Sequence, residues 1–98
     1  MGNDVRPFDD PVMFGADLLA IARSAVRRGD YKLAIPMLSS AEKYLGEKGR
    51  NEIMELRKRA YGIGIEKSAA EAEGTNGADR EIALSRIEDY KKYLAALK

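Results

Sequence analysis

The chain has no cysteine and no histidine among its 98 residues. The first absence excludes disulfides, thiol catalysis and thiolate metal sites. The second removes the commonest general base and the commonest metal ligand. An excess of charge of one sign is missing too: 17 basic against 16 acidic residues leave a net charge of +1. Such a balance gives no long-range attraction toward nucleic acid or an anionic membrane. Apolar runs are only a few residues long, too short to span a bilayer. The opening MGNDVRPFDDP has no basic region followed by an apolar stretch, so it does not read as a secretory signal, and the expected location is the cytoplasm.

The chain is 45% hydrophobic and 34% charged, a composition that suits one folded helical domain near the lower size limit for a self-sufficient core. Apolar residues recur with helical spacing between clear punctuation marks. Asp10-Pro11 reads as an N-cap followed by proline at the first helical position. Phe14, Leu18, Ile21 and Ala25 then follow at spacings of four, three and four. Gly29 closes this first helix after basic Arg27 and Arg28, and Asp30 caps a second helix with the stripe Ala34, Leu38, Ala41 and Leu45. A third helix is expected near Asn51 with Ile53, Leu56, Ala60 and Ile63 inward. It weakens at Gly62 and Gly64, each costing about 1 kcal/mol relative to alanine, so it stops there, kinks or continues through the alanine-rich segment. Gly74-Thr75-Asn76-Gly77 reads as a loop, and Ala83, Ile87, Tyr90, Leu94 and Leu97 as the stripe of a last helix. No stretch alternates with strand period.

The expectation is therefore an all-α fold, a small antiparallel bundle of three to four helices over about 11–28, 31–45, 51–72 and 78–97, with a loop at 74–77. Residues 1–9 are expected to be a flexible segment and 10–98 a single domain. Pro36 sits in the body of the second helix, where it removes one hydrogen bond. A bend there is the preferred reading, since the Ala34, Leu38, Ala41 stripe crosses the proline in phase; the alternative is a helix that starts at Pro36.

Leu18 to Leu45 resembles a single tetratricopeptide repeat. Leu18 and Ile21 stand at its early large positions, Ala22 and Ala25 at the crossing, Gly29-Asp30-Tyr31 at the turn, and Ala34, Leu38 and Ala41 along its second helix. No second copy follows at the repeat's period, and arrays need about three units. Ala41-Glu42-Lys43-Tyr44-Leu45, together with the Ile87, Tyr90 and Leu97 spacing, is similar to the microtubule-interacting and transport domain, a three-helix relative of that hairpin. Asn51 to Glu73 is an additional helix-sized segment relative to it.

The resemblance implies a protein-interaction module that docks a peptide or helix in an inter-helix groove. The groove positions it implies are Leu19, Arg23, Val26 and Arg27, along with Ala16. Arginine forks would favour an acidic protein or peptide partner. Leu19 and Arg23 replace the Lys and Asn pair with which some such repeats grip a terminal carboxylate. The competing reading makes Leu19 and Val26 core residues beneath the extra helix. A second function hypothesis is self-association, as a homo-oligomer, along a seam of Tyr90, Tyr93, Leu94 and Leu97. A third is a nucleic-acid patch of Arg50, Arg57, Lys58 and Arg59 with Tyr61 stacking on a base, against which an ordinary solvated face, with Glu55 and Arg59 paired, is preferred.

Catalysis is not expected. Without His or Cys it would need paired buried carboxylates, a perturbed lysine or a carboxylate-bound metal. Asp9 and Asp10 read as a cap, Gly62-x-Gly64 lacks the strand and lysine of a phosphate loop, and no inward glutamate repeats across helices. No cofactor and no metal are expected.

Overall fold

The computed structural model describes residues 11–97; the expected flexible segment at 1–9 and the Asp10 cap lie outside them. Four α-helices account for nearly all of the described chain: α1 (Pro11–Arg28), α2 (Tyr31–Leu45), α3 (Arg50–Glu73) and α4 (Gly77–Ala96). One turn of 3₁₀ helix, Gly46–Gly49, joins α2 to α3. No strand occurs among the described residues. The fold is an all-α helical bundle.

The turn between α1 and α2 shows why the sequence folds back here. Gly29 has φ +78°, a left-handed conformation that costs glycine little. The Gly29 amide donates to the Val26 carbonyl (3.0 Å) and the Asp30 amide to the Ala25 carbonyl (2.8 Å), the paired closure of a Schellman motif. Asp30 Oδ1 then accepts from the Leu33 amide at 3.3 Å and so caps α2. Consecutive helices run antiparallel. Phe14 of α1 meets Tyr44 near the end of α2, with rings 4.8 Å apart and almost perpendicular. Gly15 lets the α2 terminus approach: a Cβ there would lie 2.7 Å from Leu45 Cγ.

The main core lies among α1, α2 and the first half of α3, where Leu18, Leu19, Ala22, Ala25, Val26, Ala34, Leu38, Ala41, Ile53, Leu56 and Ala60 are buried. The stripe of α1 is thus rotated from the expected one. Leu18 and Ala25 are inside, but Ile21 is 45% exposed and Leu19, Ala22 and Val26 take the inward positions. The reason is that α1 is covered by α2 along its length and also touched by α3. Two neighbours need a wider buried arc than the single stripe of four-three spacing.

α2 runs without a break through Pro36, which lies on the exposed side, so the helix does not begin at the proline. α3 likewise continues through Gly62 and Gly64 to Glu73, settling the choice between stopping and continuing. Beyond Ala60 its inward side carries Gly64, Ser68 and Ala72, small residues that let α4 lie close. α4 packs on α3, while α1 meets α3 only slightly and makes no helix-to-helix packing with α4. The described chain is therefore long, 60 × 28 × 20 Å, with α4 carried at one end.

Candidate functional site

Where α4 reaches α2, the joint is built of tyrosines and one arginine. Tyr31 at the start of α2 is buried, and its ring meets that of Tyr90 edge-on at 5.9 Å. Tyr61 of α3 lies 5.5 Å from Tyr90 and 5.7 Å from Tyr93. Gly64 makes room beneath them, since a Cβ there would stand 2.6 Å from Tyr90 Cε2 and 3.1 Å from Tyr31 Cδ2. Arg86 Nη1 donates to Glu71 Oε1 at 3.2 Å, to the fully buried Ser68 Oγ at 3.4 Å and to Tyr31 Oη at 3.5 Å. Burial opposes the Arg86 charge, but Tyr31 and Glu71 outweigh it and hold the guanidinium above its ordinary range. Burial pushes the Tyr90 phenol up, with Tyr31 adding to the effect and Arg86 opposing it. Every buried side-chain nitrogen or oxygen among the described residues has a hydrogen-bond partner.

The next sector of α4 has no helix against it. An open concavity of about 550 Å³ runs along it from Ala78 to Tyr93, lined entirely by α4 residues. Ile82 is 56% exposed there and Tyr93 48% exposed. Asp89 and Glu81 line it too and form no ion pair among the described residues. Large apolar side chains thus stand exposed beside carboxylates without ion pairs on the uncovered side of α4. A second hollow of about 470 Å³ lies between the α1–α2 turn and α3, and most of its charges are paired, while Lys32 stands 5.9 Å over the Tyr31 ring. Lys67 Nζ donates to the Gly29 carbonyl at 2.9 Å, Arg28 stands 3.9 Å from Asp30, and Glu71 holds Arg86.

The groove expected on α1 does not form. Leu19 and Val26 are only 6% and 3% exposed and belong to the core that α1 forms with α2 and the first half of α3. Arg23 pairs with Glu52 of α3 at 2.7 Å rather than facing a ligand. Arg27 and Ala16 are exposed, separated by the buried residues that were to join them into one surface. The four residues of the expected seam on α4 do not form one exposed face either. Tyr90, Leu94 and Leu97 are half-buried on the side of α4 that carries the buried Ala83; of the four seam residues only Tyr93 is exposed. The basic run is divided. Arg57 turns toward α2 and bonds Glu42 Oε1 (2.8 Å) and Ser39 Oγ (3.3 Å), and Lys58 stands 3.9 Å from Glu55. Arg50 and Arg59 are exposed, and Tyr61 stacks within the tyrosine joint rather than standing open for a base.

Ile82 is the residue sequence reasoning missed. It lies off the inward stripe of α4, and the signal that could have found it is a second row at spacings of four, three and four: Ile82, Arg86, Asp89 and Tyr93. That row mixes apolar and charged residues, so hydrophobicity alone does not mark it.

Among the described residues no three acidic side chains, the only such ligands the chain has, are grouped to hold a metal ion. None of their helices is long and apolar enough to cross a membrane. No family model matches this chain, and neither a curated protein nor a solved structure does.

Proposed function

We propose that this chain is a non-catalytic protein-interaction module that seats an amphipathic helix of a protein partner on the uncovered face of α4. The observation that carries the reading is the exposure of Ile82 and Tyr93 beside an open concavity on a helix that packs chiefly against α3. A partner helix laid along that face would bury both side chains, and each fully buried side chain of this size is worth about 1.5–3 kcal/mol before the cost of association. The joint of Tyr31, Tyr90 and Arg86 holds α4 at a fixed angle, so the surface is preformed. The resemblance of Leu18 to Leu45 to partner-holding hairpins supports the same class of function, with the docking surface on α4 instead of α1.

Selection from a phage-displayed library of helical peptides tests the reading. Peptides enriched on the wild-type chain should lose at least about tenfold in affinity on an Ile82→Asp chain, about 1.4 kcal/mol. Amide shifts on titration should fall on α4 between Ala78 and Tyr93. Peptides that bind both chains equally, or none enriched at all, would overturn it.

A further inference from the structure

One row on α4, three exposed side chains with the half-buried Arg86 among them, is complementary to itself, and that points to a partner. Ile82, Arg86, Asp89 and Tyr93 follow one another at spacings of four, three and four, so they form one narrow stripe along the helix, and all four line the open concavity. When two copies of this stripe are laid antiparallel about an axis between residues 87 and 88, Ile82 falls opposite the partner's Tyr93 and Arg86 opposite the partner's Asp89. The two-fold axis repeats each contact. Two apolar pairs would flank two ion pairs. A parallel pairing in register would instead set Arg86 on Arg86 and Asp89 on Asp89, two like-charge clashes.

We infer that the occupant of the α4 face is the same face of a second copy of this chain, antiparallel to the first. The inference rests on the docking reading above and names its partner. The charges needed are available. Asp89 forms no ion pair among the described residues, and every hydrogen bond of Arg86 among them leaves through Nη1, so Nε and Nη2 remain to meet a carboxylate. Arg86 is also held in place by Glu71, Ser68 and Tyr31, which orders it before the partner arrives. One helix face on each side makes a small contact, in the class of weak, transient interfaces. The dimer forms and dissociates with concentration.

Sedimentation equilibrium of the full chain up to roughly 1 mM tests this, together with oxidative cross-linking. Since the chain has no cysteine, introduced thiols report without background. Asp79 and Ala96 extend the stripe by one step at each end and are exposed, so chains carrying Asp79→Cys mixed with chains carrying Ala96→Cys should give the mixed 79–96 disulfide in preference to either homodisulfide. Asp89→Arg should raise the dissociation constant at least about tenfold with an unchanged helical spectrum, because the side chain is exposed. Raising the salt concentration should weaken the wild-type dimer. A chain that stays monomeric to the highest concentration overturns the self-pairing and leaves the peptide selection to decide the docking reading. Dominant 79–79 and 96–96 disulfides overturn the antiparallel arrangement. A dimer untouched by both Asp89→Arg and Ile82→Asp places self-association elsewhere and overturns the inference, whatever the selection returns.

Discussion

The ring of Tyr90 rests on the bare Cα of Gly64, so close that a methyl group at position 64 would stand 2.6 Å from Tyr90 Cε2. This contact fixes how near α4 comes to α3 and therefore where the open face points. Tyr31, Tyr61 and Tyr93 crowd the same ring, so it has little freedom to retreat.

Gly64→Ala should therefore destabilise the fold by about 1–3 kcal/mol, despite alanine's better helix propensity, because the added methyl overpacks a hemmed-in ring. Gly62 is the control two residues away. Nothing lies within 4 Å of a Cβ built there. Gly62→Ala should stabilise by about 0.5–1 kcal/mol through propensity alone. Urea unfolding of both variants checks the pair, and the opposite signs are the point.

The phase of α1 makes a second pair. Leu38 is fully buried in the main core and Ile21 is 45% exposed. Leu38→Ala should cost about 2–5 kcal/mol. Ile21→Ser should stay within about 0.5 kcal/mol of wild type, as exposed substitutions do. A large loss at Ile21 would restore the stripe read from spacing alone. Thermal and urea melts give both values.

The contrast between these positions shows what the sequence makes legible. Helix ends are local events, and Gly29-Asp30 and the Gly74 to Asn76 loop, with Gly77 opening α4, mark them in residue types that anyone can read. The inward faces of α2 and the first half of α3 are legible for a similar reason, since Ala34, Leu38, Ile53 and Leu56 repeat at helical spacing and are buried. Partner choice is not local. Leu19 and Val26 are buried because α1 packs chiefly on α2 and in part against α3, so their burial depends on segments outside α1. Likewise Gly64, which weakens α3 on propensity, is tolerated because it receives a tyrosine from α4. The open face of α4 is the hardest to foresee, because its existence depends on which helices do not arrive.

Arg86 tests how the polar joint is held. Removing it by Arg86→Met leaves the fully buried Ser68 hydroxyl and the Glu71 carboxylate without their donor. The expected loss is about 1–3 kcal/mol, the usual cost of stranding buried polar groups. Ser68→Ala removes a hydroxyl instead of its partner and leaves Arg86 bound to Glu71, so its effect should lie within about 1 kcal/mol of zero. Equal losses from the two variants would mean that the joint depends on the Ser68 contact rather than on the arginine. Denaturant melts measure the difference.

The link between α2 and α3 carries a pH dependence whose direction follows from its chemistry. Arg57 donates to Glu42 Oε1 at 2.8 Å, and this hydrogen bond, with burial working against it and the Arg57 and Arg50 charges assisting, holds the Glu42 carboxyl below the ordinary value of 4.5. A carboxyl whose pKa is depressed by folding binds its proton more readily in the unfolded chain. Its stabilising effect is thus complete above the unfolded value and is lost as the pH falls through the lower folded value. Wild-type stability should decline on acidification from about pH 5 downward, and Glu42→Gln should flatten that part of the curve while lowering stability at neutral pH. Because the Glu42 side chain is half exposed, solvent screens the pair and the neutral-pH loss should stay within about 1 kcal/mol. Arg57→Met should flatten the same region, since the carboxylate then has no donor to favour its charge. Unfolding free energies measured from pH 7 to pH 3 for the three chains decide it: parallel curves would show that Glu42 titrates alike folded and unfolded, and that the Arg57 contact contributes nothing to the acid limb.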